Sequence, residues 1–211
     1  MMKHFDKEAI LSADKSFRRD FVNCLSGYKS LNLIGTKSAS GKTNLAIFSQ
    51  VVHIGASPPL VGVLFRPHTV ERHTLENILE TGFFTLNHVT EAFYKQAHHT
   101  SARWDESEFQ ATGLSEEYLK DFWAPYVEAS PLKVGCTLAE VQTLQINGTV
   151  MVIGEISHVF VQEDALGEDG FISLETLGTV TVSGLDEYHV GRKLSRLSYA
   201  QANKPVREIL S

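Results

Sequence analysis

Only two cysteines, Cys24 and Cys136, occur in the 211 residues of the chain. That is too few for a disulfide framework. Both lie among apolar neighbours, so two buried thiols in a reducing, cytoplasmic setting are expected. No apolar run approaches the roughly 20 residues that cross a bilayer, so no membrane span is expected. The N-terminal stretch MMKHFDKEAILSADKSFRRDF is charged throughout and lacks the apolar centre of a signal peptide. A basic surplus is also missing. Nineteen Lys and Arg face 25 Asp and Glu, for a net charge of −6, which argues against a dedicated nucleic-acid binder. GxGxxG does not occur, and strands do not alternate with long helices, so a dinucleotide-binding parallel sheet is not expected. There is no internal repeat and no low-complexity linker, so residues 1–211 read as one domain.

What is present is apolar and strand-like. Hydrophobic residues make up 43% of the chain, enough for a substantial core. SFRRDFVNCLSG places Phe17, Phe21, Val22 and Leu25 on one helical face, with Gly27 to end it. KSLNLIGT and IFSQVVHI read as strands, Pro58-Pro59 as an extended break, and LVGVLFR as an apolar strand. HTLENILETG reads as a short helix capped by Thr74, with Leu75, Ile78 and Leu79 inward and Gly82 at its end. FFTLNHV is a further strand. Residues 90–131 read as a polar insertion with helical pieces at TEAFYKQAHH and SEEYLKDFW. Two alternating apolar runs then flank Asn147-Gly148, a strong hairpin signal. FISLETLGTVTVSG adds strand, and residues 184–211 form a polar tail. Many strands at hairpin spacing with few helices indicate an antiparallel barrel or sandwich.

The stretch GTKSASGKTN, Gly35 to Asn44, invites a phosphate-loop reading. That loop places four residues between its first glycine and the Gly-Lys pair, whereas five stand here. It must also open a helix, and both flanks read as strand. A polar turn between two strands is the better assignment. Such a turn still offers the hydroxyls of Ser38, Ser40 and Thr43, the Lys42 ammonium and free backbone N–H groups, a set suited to a phosphate monoester. Downstream, Arg66 ends a strand and Arg72 precedes a helix start, where an anion is favoured. From spacing alone, Lys42 and Arg72 read more readily as solvated surface charges.

The segment LIGTKSASGKTNLAIFSQVVHIGASPPLVGVLFRP, followed by HTLENILETGFFTLN, SEFQATGL, LKVGCTLAEV, IGEISHVFV and GLDEYHVGRKLSRLSYAQ, resembles the flavin reductase-like family. The resemblance spans roughly Leu31 to Gln201 and rests on the order and spacing of these pieces. It implies a mainly β fold with helical additions, an antiparallel Greek-key split β-barrel of the FMN-binding type. It also implies FMN as cofactor, NAD(P)H and an electron acceptor as partners, and a homodimer. On this resemblance the strand Asn44, Leu45, Ala46, Ile47, Phe48, Ser49 runs along the isoalloxazine, largely through backbone groups. Ser38, Ser40, Lys42 and Thr43 lie where ribityl and phosphate contacts are expected, with Arg72 and Thr74 as further contacts. Asn87 is a rim contact. Tyr199 is either a flavin cover, reaching across a dimer interface, or a packing anchor.

Such a cofactor carries the redox chemistry while the protein orients it. No catalytic side chain is therefore expected, consistent with the lack of a Ser-His-Asp or paired-carboxylate pattern. The alternative is a flavin-binding electron carrier without NAD(P)H turnover, and a cofactor-free β-barrel is a third reading. No metal site is expected. His98 and His99 are adjacent and point about 100° apart on a helix, unlike an i, i+4 zinc pair. His68, His73 and His88 do not complete a set, and His158 reads as structural. Trp104, in SARWDESE, is placed on a loop at the substrate rim.

Overall fold

The fold was analysed in a computed structural model that describes residues 1–67 and 72–209. His68 lies outside the described residues. The chain opens with two short helices, α1 (Lys7–Ser12) and α2 (Lys15–Cys24), each capped by an aspartate carboxylate, Asp6 and Asp14. Then follow β1 (Lys29–Ser30), β2 (Asn32–Lys37), β3 (Thr43–Phe48), β4 (Val51–Ala56) and β5 (Pro59–Phe65). Helix α3 (His73–Thr81) precedes β6 (Phe83–His88). Helices α4 (Tyr94–His99) and α5 (Glu108–Thr112) lead to a small hairpin, β7 (Glu116–Glu117) and β8 (Tyr126–Val127). The long strands β9 (Leu132–Thr143) and β10 (Val150–Val161) come next, then β11 (Val180–Ser183) and β12 (Glu187–Val190).

Seven strands form one antiparallel sheet in the order β3-β2-β6-β9-β10-β5-β4. Its two outermost strands, β3 and β4, are consecutive in sequence, separated only by Ser49 and Gln50. The Leu64 N–H donates to the Gln50 carbonyl at 3.0 Å. The sheet is therefore rolled until its edges meet at this junction, a barrel with one open seam. IFSQVVHI, expected as one strand, is broken here into β3 and β4. Pro58-Pro59, expected as a break, instead closes the tight β4–β5 turn.

The period-2 alternation of the strands sorts side chains into two cores. Ile34, Val63, Phe65, Phe84, Leu86, Cys136 and Val152 fill the barrel, joined by Leu75 and Ile78 of α3. Leu31, Leu33, Leu45 and Val89 face the other way, under α4, α5 and β11. A second sheet, β1-β11-β12, closes that layer by pairing Lys29 with Val182 and Ser30 with Thr181. Gly154 of β10 is required by packing: a Cβ there would lie 2.4 Å from the Phe84 ring.

Several expectations change. SEEYLKDFW is not helical; it contains β7 and a turn with Lys120 and Asp121 at positive φ. Phe122 of this segment and Tyr126 just beyond it reach the barrel wall, where they pack with Phe83 and Phe160, and that contact outweighs helix propensity. FISLETLGTVTVSG is strand only from Val180, and the tail begins with β12 rather than irregular chain. Cys136 is buried but Cys24 is exposed. Phe17, Val22 and Leu25 remain exposed, and α2 meets the N-terminal segment through a cluster of the Phe5, Phe17 and Phe21 rings. His158 is structural as expected, edge-on to Phe122 at 5.6 Å.

Candidate functional site

A cleft of about 760 Å³ opens along the barrel seam. One wall is β3 itself, through Asn44, Ala46, Ile47 and Phe48, with Ser49 just past its end. The floor continues through Gln50, Leu64 and Phe65. Strand β3 is the sheet edge, so alternate backbone groups have no strand partner. The Leu45 N–H points away from β2 and donates to the Glu108 carboxylate of α5 at 2.9 Å. By the same alternation the Ile47 N–H and C=O face the cleft.

The N-terminus of α3 forms one end of the cleft, with Arg66, Arg72, His73 and Thr74. This helix is not capped by Thr74. Arg72 occupies the cap position, and its N–H donates to the Glu76 carboxylate at 3.1 Å. Thr74 sits in the first turn, and its hydroxyl accepts from the Asn44 amide at 2.9 Å. One turn on, the Asn77 amide donates to Thr36 at 3.0 Å. These two buried pairs fasten α3 across β2 and β3. Leu79, expected inside, faces solvent at 53% exposure. The Arg72 Nε is buried and has no hydrogen-bond partner among the described residues. An unpaired guanidinium N–H at a helix N-terminus is a site waiting for an anionic oxygen.

The opposite wall comes from appended elements: Asn23 of α2, His98 and Ser101 at α4, and Val182, Leu185 and Tyr188 of the second sheet. The His98 Nδ1 lies 2.6 Å from the Tyr188 hydroxyl. Burial, with a smaller contribution from Asp186, raises the Tyr188 phenol, which keeps its proton at neutral pH.

The β2–β3 turn differs from its expected role. Gly41 has the positive φ that the reversal needs, +91°. Four N–H groups of the turn are engaged within the protein, however. Ser38 donates to the Lys42 carbonyl, Gly41 to the Ser38 carbonyl, Lys42 to the Ser38 hydroxyl and Ala39 to the Glu80 carboxylate. The Thr43 hydroxyl donates to Glu116 at 2.6 Å. Ser38, Ser40, Lys42 and Thr43 line a separate small pocket beside the cleft, with Trp104 and Glu106. Asn87 is not at a rim. It is fully buried, its amide donating to Leu33 and Thr85 and its carbonyl accepting from Val127. Tyr199 is 90% exposed on the tail and lines neither cavity. Gln50, His98, Glu108 and Tyr188 were not singled out from sequence as site residues, because chain distance separates them from the β3 motif. No cluster of three metal-ligating side chains occurs among the described residues. No helix among them is long and apolar enough to cross a membrane.

A rolled antiparallel sheet with a ligand-sized cleft along its open seam defines a split barrel. The chain belongs to the flavin reductase like domain family, whose pattern matches residues 29–179. A Shewanella frigidimarina split-barrel protein classed with the flavin reductases is 54% identical, with a TM-score of 0.91 over 94% of this chain and all of that one. The flavoredoxin of Desulfovibrio vulgaris shares the fold at 23% identity and TM-score 0.72, covering 96% and 98% of the two chains. A protein of Halalkalibacterium halodurans is 28% identical over 189 residues, 84% of this chain and 90% of that one.

Proposed function

We propose that the protein is an FMN-binding oxidoreductase that accepts hydride from NAD(P)H onto its flavin. The observation that carries this reading is the cleft, which joins a sheet edge with no neighbouring strand to a buried Arg72 Nε, at a helix N-terminus, that has no partner among the described residues. Its volume lies within the 300–1,000 Å³ common for cofactor pockets. Arg72, Thr74 and the first turn of α3 would hold the phosphate, and Ala46, Ile47, Phe48 and Ser49 would flank the ring system. A bound flavin supplies the hydride-accepting chemistry. The chain's own work is to present the Ile47 backbone to the ring edge, exclude water with Phe48, Leu64 and Phe65, and leave a wall at His98 and Tyr188 for a second molecule.

The test is anaerobic mixing of the purified protein with NADH or NADPH, followed near ~450 nm, where oxidised flavin absorbs. Bleaching supports the reductase. A bound flavin that neither nucleotide bleaches marks an electron carrier instead, and a colourless protein that binds no FMN removes the flavin reading. We further propose a homodimer. Val52, Ile54, Leu194 and Tyr199 are exposed apolar side chains that a second copy would cover. Light scattering should give twice the 23.4 kDa of one chain; a mass of one chain with flavin bound would refute it.

A further inference from the structure

The appended wall of the cleft carries a hydrogen-bonded pair that cofactor binding leaves unused. His98 and Tyr188 both line the cleft, and the His98 Nδ1 lies 2.6 Å from the Tyr188 hydroxyl. The phenol ring is held by two neighbours. Tyr94 meets it at 5.5 Å between ring centroids, tilted by 52°, and His98 meets it edge-on at 5.7 Å. With the Nδ1–H donating to the phenol oxygen, the phenol O–H is left to donate into the cleft. Burial raises the phenol, so that proton is present at neutral pH. His98 itself is exposed, so its ring joins the phenol to bulk water.

A pair of this kind serves a molecule that must take up a proton as well as electrons. The wall also sets the charge of that molecule. Asn23, Ser101, Val182 and Leu185 line it beside the pair, with no Lys, Arg, Asp or Glu among these residues. The Glu108 carboxylate, elsewhere in the cleft, is engaged by the Leu45 N–H. A charged acceptor would lose water here without gaining a counter-charge, whereas a neutral one gains the apolar surface of Val182 and Leu185. The phenol O–H calls for a carbonyl oxygen. When a quinone takes a hydride, the oxygen left to be protonated is itself a phenolate, so the proton passes between two like oxygens.

We propose that the protein reduces a neutral quinone, with Tyr188 as the catalytic residue that gives the proton and His98 as the positioning residue that fixes the phenol. The proposal rests on the flavin reading of the cleft, because the reduced flavin is the hydride donor. One quinone oxygen receives the hydride, with its electron pair, and the other receives the Tyr188 proton. The products are a hydroquinone and oxidised flavin. Tyr188 then regains a proton from water by way of the His98 ring.

Anaerobic rapid mixing tests the assignment. FMN-loaded protein is reduced with one equivalent of dithionite, which bypasses the nicotinamide, and is mixed with duroquinone or with ferricyanide. Duroquinone needs a proton for each electron, and its methyl groups block addition of thiols to the ring. Ferricyanide takes electrons without protons. Tyr188→Phe should slow duroquinone reduction by about 100-fold and leave ferricyanide reduction unchanged. His98→Ala should slow the maximal duroquinone rate by about ten-fold, and His98→Asn, which keeps an N–H near the Nδ1 position, should restore most of it. Titration of oxidised protein by calorimetry should show duroquinone bound about five-fold more weakly by Tyr188→Phe, the scale of one hydrogen bond. An unchanged duroquinone rate in Tyr188→Phe, or an equal loss with both acceptors, overturns the proton role. Parent protein that reduces ferricyanide but not duroquinone overturns the quinone while leaving the flavin in place. Protein that takes up no FMN overturns the flavin reading, and quinone reduction with it.

Discussion

The two walls of the cleft are built differently. The barrel wall is locked: Asn44 is bonded to Thr74, Asn77 to Thr36, and α3 buries Leu75 and Ile78 in the lumen. The appended wall presents Asn23, His98, Leu185 and Tyr188 from three separate elements, joined at the cleft by the His98–Tyr188 contact. A group that must stay bound needs the first kind of wall, because affinity is lost when its contacts must first be ordered. A molecule that must enter and leave is better served by the second.

Acid should break this arrangement where the walls join. His88 ends β6 beside Thr179, one residue before β11. Burial pushes its imidazole down from 6.5 to about 4. Between those values the unfolded chain binds a proton that the folded chain does not. Stability is therefore complete above pH 6.5 and declines as pH falls toward 4, by about 3 kcal/mol for the whole shift. Urea unfolding at pH 7 and pH 4.5 should show the decline, and His88→Gln should remove most of it.

On the barrel wall, Arg72→Ala should weaken FMN by about 10- to 100-fold, as for a charge-assisted contact of ~1.5–3 kcal/mol. Riboflavin, without a phosphate, should bind as before. An equal loss for both ligands would show that Arg72 shapes the α3 terminus rather than meeting the anion. On the appended wall, Tyr188→Phe should leave flavin occupancy unchanged and raise the KM for the nicotinamide donor a few-fold, roughly 1 kcal/mol. A fall in flavin content would merge the two walls into one function. The smallest effect belongs to Lys42→Ala. The family resemblance, which puts Lys42 at the phosphate, predicts a loss of about ten-fold or more for FMN. The exposed ammonium lines the side pocket rather than the cleft, so a change under about three-fold, fading with salt, is expected by titration.

The barrel was legible in the sequence because its strands announce themselves locally. Alternation around Asn147-Gly148 predicts β9 and β10, and Gly41 and Gly82 mark turns where positive φ is required. The β3 wall was legible for the same reason. The appended wall was not, since β1 meets β11 and His98 meets Tyr188 across 90 residues or more, and no local pattern records such a meeting. The phosphate-like motif hides one feature of the turn. Ser38, Gly41 and Lys42 look like free donors in the sequence, yet a tight turn consumes its own N–H groups. Arg72 stands ahead of a helix as the sequence indicates.

The pairing of Lys29 with Val182 also sets an order of assembly. Strands β2 and β3 are neighbours in the chain and can pair as soon as both exist, whereas β1 must wait for residues about 150 positions later. Non-local pairings are slow because the intervening chain must be ordered first. During synthesis the barrel strands through β10 are available before β11 and β12 leave the ribosome. The nascent chain thus acquires its anion-seeking α3 terminus early and its Tyr188 wall last. Flavin capture by a partly made chain would meet a half-built cleft, open on the side where Val182, Leu185 and Tyr188 later close it.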